Sequence, residues 1–130
     1  HPSVYANLLS QKVAENNASC WLLNTGWVAG GYGKSKRIKI RWTRALLNAA
    51  LDGTLNNVEF VVDQRFGFEL PSTCEGVPSE ILNPKRTWQD GVQFDAVADK
   101  LALMFQENFK QFASGCSDAV LDSAPRVLTK

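Results

Sequence analysis

The chain has 130 residues, 45% of them hydrophobic and 21% charged, with a formal net charge of +1. These proportions suit one folded domain and exclude both a disordered chain and a general polyelectrolyte. No apolar run approaches membrane-spanning length. Cys20, Cys74 and Cys116 are odd in number and widely spaced, which argues against a disulfide framework or zinc site and reads as reduced thiols of an intracellular protein.

The chain opens on His1-Pro2 and enters a helical pattern at once, as though cut from something longer. Val4, Leu8, Leu9 and Val13 recur at helical spacing, Pro2 suits a first turn, and Asn16-Asn17 should end the helix. Cys20-Trp21-Leu22-Leu23 is a short apolar run bounded by turn residues and is expected to form a buried strand. A glycine-rich loop follows (Gly30, Gly31, Gly33), the position where open α/β sheets place ligands. Ile38 and Ile40 alternate with Lys39 and Arg41 like a strand, and Thr43 is the expected N-cap of a helix closed by Gly53. Val58, Phe60 and Val62, then Phe66, Phe68 and Leu70, predict a hairpin turning at Asp63-Gln64-Arg65. Residues 71–88 hold three prolines and should form an irregular connection. Phe94, Val97, Ala98, Leu101, Phe105, Phe109 and Phe112 mark the longest amphipathic helix, entered near Asp90, and from Ser114 onward a tail is expected.

The chemistry concentrates at the glycine loop. Six basic residues lie between Lys34 and Arg44, and no Asp or Glu stands between Glu15 and Asp52. Glycines permit close backbone approach to a ligand, and clustered cations attract an anion. Gly33-Lys34-Ser35 is not a P-loop, because Val28 occupies the first glycine position and the residues after Ser35 alternate like a strand instead of opening a helix. His1 is the only histidine and carboxylates do not cluster, so a metal site made by this chain alone is not expected. Trp21, Trp42 and Trp88 read as core or interface anchors, and Trp27 as either an anchor or a stacking platform. These residues leave two readings open: an α/β domain contributing to an anion or nucleotide site, or a non-catalytic nucleotide- or RNA-binding module using the loop, Tyr32 and Trp42.

Longer strings narrow the choice. His1-Pro2-Ser3-Val4-Tyr5-Ala6, Trp21-Leu22-Leu23-Asn24-Thr25-Gly26-Trp27, Tyr32-Gly33, Lys36-Arg37-Ile38 and Thr43-Arg44-Ala45 resemble ATP-dependent phosphoenolpyruvate carboxykinase. Gly76-Val77-Pro78, Ile81-Leu82-Asn83-Pro84 and Thr87-Trp88 extend the resemblance nearly end to end, and Ala124-Pro125 resembles the close of the family's C-terminus. The resemblance implies that residues 1–130 are the C-terminal portion of the nucleotide-binding domain. That fold would be an α/β mixed-sheet piece with a long C-terminal amphipathic helix. It implies a carboxy-lyase of gluconeogenesis, which decarboxylates oxaloacetate and transfers the γ-phosphoryl of ATP to give phosphoenolpyruvate, ADP and CO2. ATP and oxaloacetate would be its small-molecule partners, with no nucleic acid and no membrane, in a cytoplasmic enzyme.

The family's phosphate loop, Mg²⁺ and Mn²⁺ ligands and substrate arginine would lie upstream, leaving no catalytic residue or metal ligand here and an isolated piece that is inactive. By the same resemblance, Arg37 and Ile38 lie beside the nucleoside and Thr43 at the adenine end. Ile38 would offer apolar surface, Thr43 a hydroxyl, and Arg37 a planar cation. Ser35 stands where the family often has Gly, so a positive φ there would strain the loop. The final Val127-Leu128-Thr129-Lys130 does not match a peroxisomal signal.

Overall fold

The computed structural model of the chain describes residues 1–31 and 33–129. Tyr32, part of one resemblance string and a stacking ring in the nucleic-acid reading, and Lys130, the last residue of the terminal tetrapeptide, lie outside the described residues. Helix α1 (Pro2–Asn16) begins with the His1 ring accepting from the Ser3 amide and ends with Asn17 left-handed at φ 46°. None of its residues is buried, and Val4, Tyr5, Leu8 and Leu9 are exposed. The expected strand at Trp21 to Leu23 does not form. Pairing a strand needs a neighbour, none is available among the described residues, and Leu22 stands 82% exposed.

Among the described residues the strands form two small antiparallel sheets, in place of the expected piece of a mixed sheet. The first pairs β1 (Trp27–Val28) with β2 (Lys36–Arg37), in register Trp27↔Arg37 and Val28↔Lys36. The second is the expected hairpin, β3 (Phe60–Val62) with β4 (Glu69–Pro71). Asp63 shapes its turn by accepting from the amides of Arg65 (3.0 Å) and Phe66 (2.7 Å). Helix α2 (Ile40–Leu51) starts three residues before Thr43, so Thr43 is not its N-cap. Lys39, extended at φ −67°, takes that position without a side-chain cap. β1 begins only at Trp27, so beyond Arg37 the Ile38–Ile40 alternation runs antiparallel past the start of its partner strand, and the chain turns helical instead. Trp42, Ala45, Leu46, Ala49 and Ala50 then fall on the half-buried face of α2 at helical spacing. The architecture is mixed, helices with two small sheets.

After β4 the chain runs through the short α3 (Ser79–Leu82) and a 3₁₀ turn (Pro84–Thr87) into α4 (Gly91–Phe109). Asp90 caps α4 by accepting from the amides of Val92 (2.8 Å) and Gln93 (3.2 Å). α4 stops at Phe109, short of Phe112. It buries Ala98, Asp99 and Ala102, while Val97, Leu101, Met104 and Phe105 are exposed. Among the described residues the buried apolar core is small, comprising Leu55, Val77, Leu82, Ala98 and Ala102. The chain exposes 9987 Å² at a mass of 14.4 kDa, whereas a compact monomer of that mass exposes about 6,800 Å².

The C-terminal segment is anchored, contrary to the expectation of a tail. A short α5 (Asp118–Asp122) leads to residues 125–129, which lie along α4. Asp99 accepts from the amides of Leu128 and Thr129 (3.0 Å each) and from the Thr129 hydroxyl. Arg65 donates to Asp99 through Nε at 2.6 Å, Arg126 N donates to the Arg65 carbonyl at 2.7 Å, and Gln106 Nε2 to the Pro125 carbonyl at 2.6 Å. The Arg65 guanidinium, the Thr129 hydroxyl and the strap amides hold the Asp99 carboxyl well below the usual carboxylate range. Arg65 and Asp99 are only 4% and 5% exposed, so each satisfies a charge the other could not leave unpaired.

Candidate functional site

The glycine loop connects β1 to β2 and is held by its own backbone. Ile38 N donates to the Gly26 carbonyl at 2.9 Å, just beyond the sheet register. The loop's left-handed positions among the described residues are Ala29 (φ 66°), Gly30 (φ 150°) and Gly33 (φ 78°). Ser35 therefore carries no such strain. Its single hydroxyl proton is instead shared between the carbonyls of Gly30 (2.8 Å) and Gly31 (2.9 Å), cross-linking the loop from within.

Beside the loop lies an apolar cleft of about 310 Å³, whose walls include Trp21, Trp27, Ile38, Leu46, Leu82 and Trp88. Trp21 Nε1 is buried there and has no hydrogen-bond partner, although an indole N–H can only donate and is costly to leave unmet. Ile38 thus lines the cleft. Arg37 is exposed on β2, its Nη2 reaching the Thr25 carbonyl at 3.4 Å. Thr43 is half-buried on α2 and is not part of the cleft wall.

The basic run passes from the loop through β2 into the first turns of α2. Lys39 and Arg41 lie 4.8 Å and 5.5 Å from the Trp42 ring centre, in cation–π range. None of the ion pairs among the described residues engages the cations between Lys34 and Arg44. Those cations also crowd the positive end of α2, where their mutual repulsion and the helix dipole favour an incoming anion. Burial, with Asp52 and Glu75 nearby, pushes the Cys74 thiol up, the opposite of an activated nucleophile. No three His, Cys, Asp or Glu side chains gather among the described residues, and no helix among them is long and apolar enough to cross a membrane.

Sequence reasoning missed Thr87 as part of this site. Its hydroxyl accepts from the Ala29 amide at 3.1 Å and it lines the cleft with Ala29. Thr87 stood in one of the resemblance strings, and a hydroxyl three residues after a turn-opening proline can close that turn, but neither signal pointed to Ala29.

The sequence profile of phosphoenolpyruvate carboxykinase matches residues 1–80. The chain belongs to this family. Among its relatives, phosphoenolpyruvate carboxykinase (ATP) of Geobacter metallireducens is 52% identical over 122 residues, covering 94% of this chain and 23% of the relative. The enzyme of the same name from Brucella suis is 53% identical over 127 residues, covering 98% of this chain and 24% of the relative. That of Bradyrhizobium sp. strain ORS 278 is 53% identical over 126 residues, covering 97% and 24%. The chain therefore spans about a quarter of the length of the curated relatives it matches. These carboxykinases lend no support to the alternative of a nucleic-acid module.

Proposed function

We propose that the chain is the C-terminal portion of the nucleotide-binding domain of an ATP-dependent phosphoenolpyruvate carboxykinase and forms the adenosine side of its ATP pocket. The whole enzyme would turn oxaloacetate and ATP into phosphoenolpyruvate, ADP and CO2 in gluconeogenesis, with Mg²⁺ and Mn²⁺ held by residues outside this chain. The observation that carries this reading is the apolar cleft lined by Ile38 and flanked by unneutralised cations. A purine suits its aromatic and aliphatic walls, and the ring nitrogens of a purine are acceptors of the kind the buried Trp21 N–H lacks. Arg37 would hold the nucleoside edge from β2. Thr43, on α2 and not among the wall residues, would meet the adenine end only where the base emerges at the rim of the cleft.

ATP binding to the full-length enzyme tests the assignment. Ile38→Ala removes part of a half-buried wall, about 1–2 kcal/mol or roughly five- to thirtyfold weaker ATP. Arg37→Ala should weaken ATP in the same direction, and Thr43→Val should do so if its hydroxyl meets the base. Saturation by oxaloacetate should not move, and the 130 residues alone should form no phosphoenolpyruvate above a no-protein control. Unchanged ATP affinity in both Ile38→Ala and Arg37→Ala would overturn the reading.

A further inference from the structure

We infer that Thr87 is a positioning residue for the glycine loop, acting on ATP through Ala29 and not by touching the nucleotide. This deepens the nucleotide-pocket reading above and rests on it. Ala29 has φ 66°, a left-handed backbone that a side chain with a Cβ takes only where its surroundings hold it. The holding contact comes from 58 residues away, where the Ala29 amide donates to Thr87 Oγ1 at 3.1 Å. A hydroxyl has one proton, and Thr87 uses it on the Pro84 carbonyl at 2.7 Å. Its lone pair is thereby aimed at Ala29, so the hydroxyl is oriented before the loop meets it.

The platform beneath Thr87 is itself braced. The 3₁₀ turn closes through Arg86 N to the Asn83 carbonyl (3.0 Å) and Trp88 N to the Lys85 carbonyl (3.2 Å). Lys85 Nζ pairs with Asp95 on α4 at 2.6 Å, and the Trp88 ring meets Phe94 of α4 edge-on with centroids 5.6 Å apart. Thr87 thus ties the loop to the longest helix, while Ser35 ties it from within. Ala29, Ile38 and Thr87 all line the one cleft. A loop that moves at Ala29 therefore moves an edge of the proposed adenosine site.

The test uses the full-length enzyme with Thr87→Val, which removes the hydroxyl at nearly constant shape, and Thr87→Ser, which keeps it. Loss of one neutral hydrogen bond lowers the ratio of held to released loop by roughly two- to tenfold, and apparent ATP affinity should fall by up to the same factor. Amide exchange across residues 26–36, measured without ATP, should accelerate in Thr87→Val and return to normal in Thr87→Ser. The Michaelis constant for oxaloacetate and the melting temperature should hold. Unchanged loop exchange in Thr87→Val overturns the tether whatever ATP does. Faster exchange with normal ATP affinity overturns the positioning role, provided Ile38→Ala weakens ATP in parallel. If Ile38→Ala is also silent, the pocket assignment has failed and the positioning role falls with it. Should Thr87→Val lower the melting temperature by several degrees, Thr87→Ala is measured alongside it, and a stability loss with intact ATP affinity in both reduces Thr87 to a turn residue.

Discussion

Replacing Asp99 by Ala should release the C-terminal strap while leaving the nucleotide side of the molecule in place. Asp99 is the common acceptor for Arg65 Nε at 2.6 Å, the Leu128 and Thr129 amides at 3.0 Å, and the Thr129 hydroxyl. Removing one member of a buried ion pair costs about 3–5 kcal/mol, because the survivor stays charged and desolvated. Here the lower end applies, since Asp95 still faces the Arg65 guanidinium at 3.6 Å. The two strap amides lose a charged acceptor, and each such bond contributes about 1.5–3 kcal/mol. Opening of the strap should thus become easier by at least tenfold. Hydrogen exchange followed by mass spectrometry reads this directly on a peptide covering residues 124–129, with a peptide from α2 as the internal control. Asp95→Ala should have a smaller effect on the same peptide, because it removes the longer contact and the partly exposed Lys85 pair. Unchanged exchange in the Asp99→Ala strap, or a larger effect from Asp95→Ala, would refute the argument.

The acid limb of stability should also report Asp99. A carboxyl held below its unfolded value near 4 adds stability above that pH and loses it as pH falls toward the folded value. Tryptophan fluorescence during acid titration should show Asp99→Asn with a shallower dependence than the parent below about pH 4, and parallel curves would count against the linkage. The isolated 130-residue chain should associate and bind a hydrophobic dye. Its 9987 Å² of exposed surface exceeds the compact-monomer value by about 3,000 Å², more than one standard protein interface of about 1,600 Å². A monodisperse monomer with a sharp thermal transition, measured by light scattering and calorimetry, would show that this surface needs no cover.

Elements whose cause is local were legible in the residues alone. Asn17 ends α1 through its left-handed backbone, while Asp90 caps α4 and Asp63 turns the hairpin between β3 and β4 through side chains that accept from backbone amides two or three residues on. Kinship was legible too, because long ordered strings survive in register along the chain. Tertiary structure decided everything that depends on a distant partner. Trp21 to Leu23 carries the composition of a strand but has no neighbour to pair with among the described residues, and Ile38 to Ile40 outruns β1 and yields to the helix. Ser35 proved to be a cross-link within the loop, because the left-handed strain falls on Ala29 instead. The partners of Thr87 and Asp99 were hidden for the same reason. A hydroxyl or carboxylate announces its chemistry in the sequence, but its partner is chosen by packing, and Ala29 lies 58 residues from Thr87 as Thr129 lies 30 from Asp99.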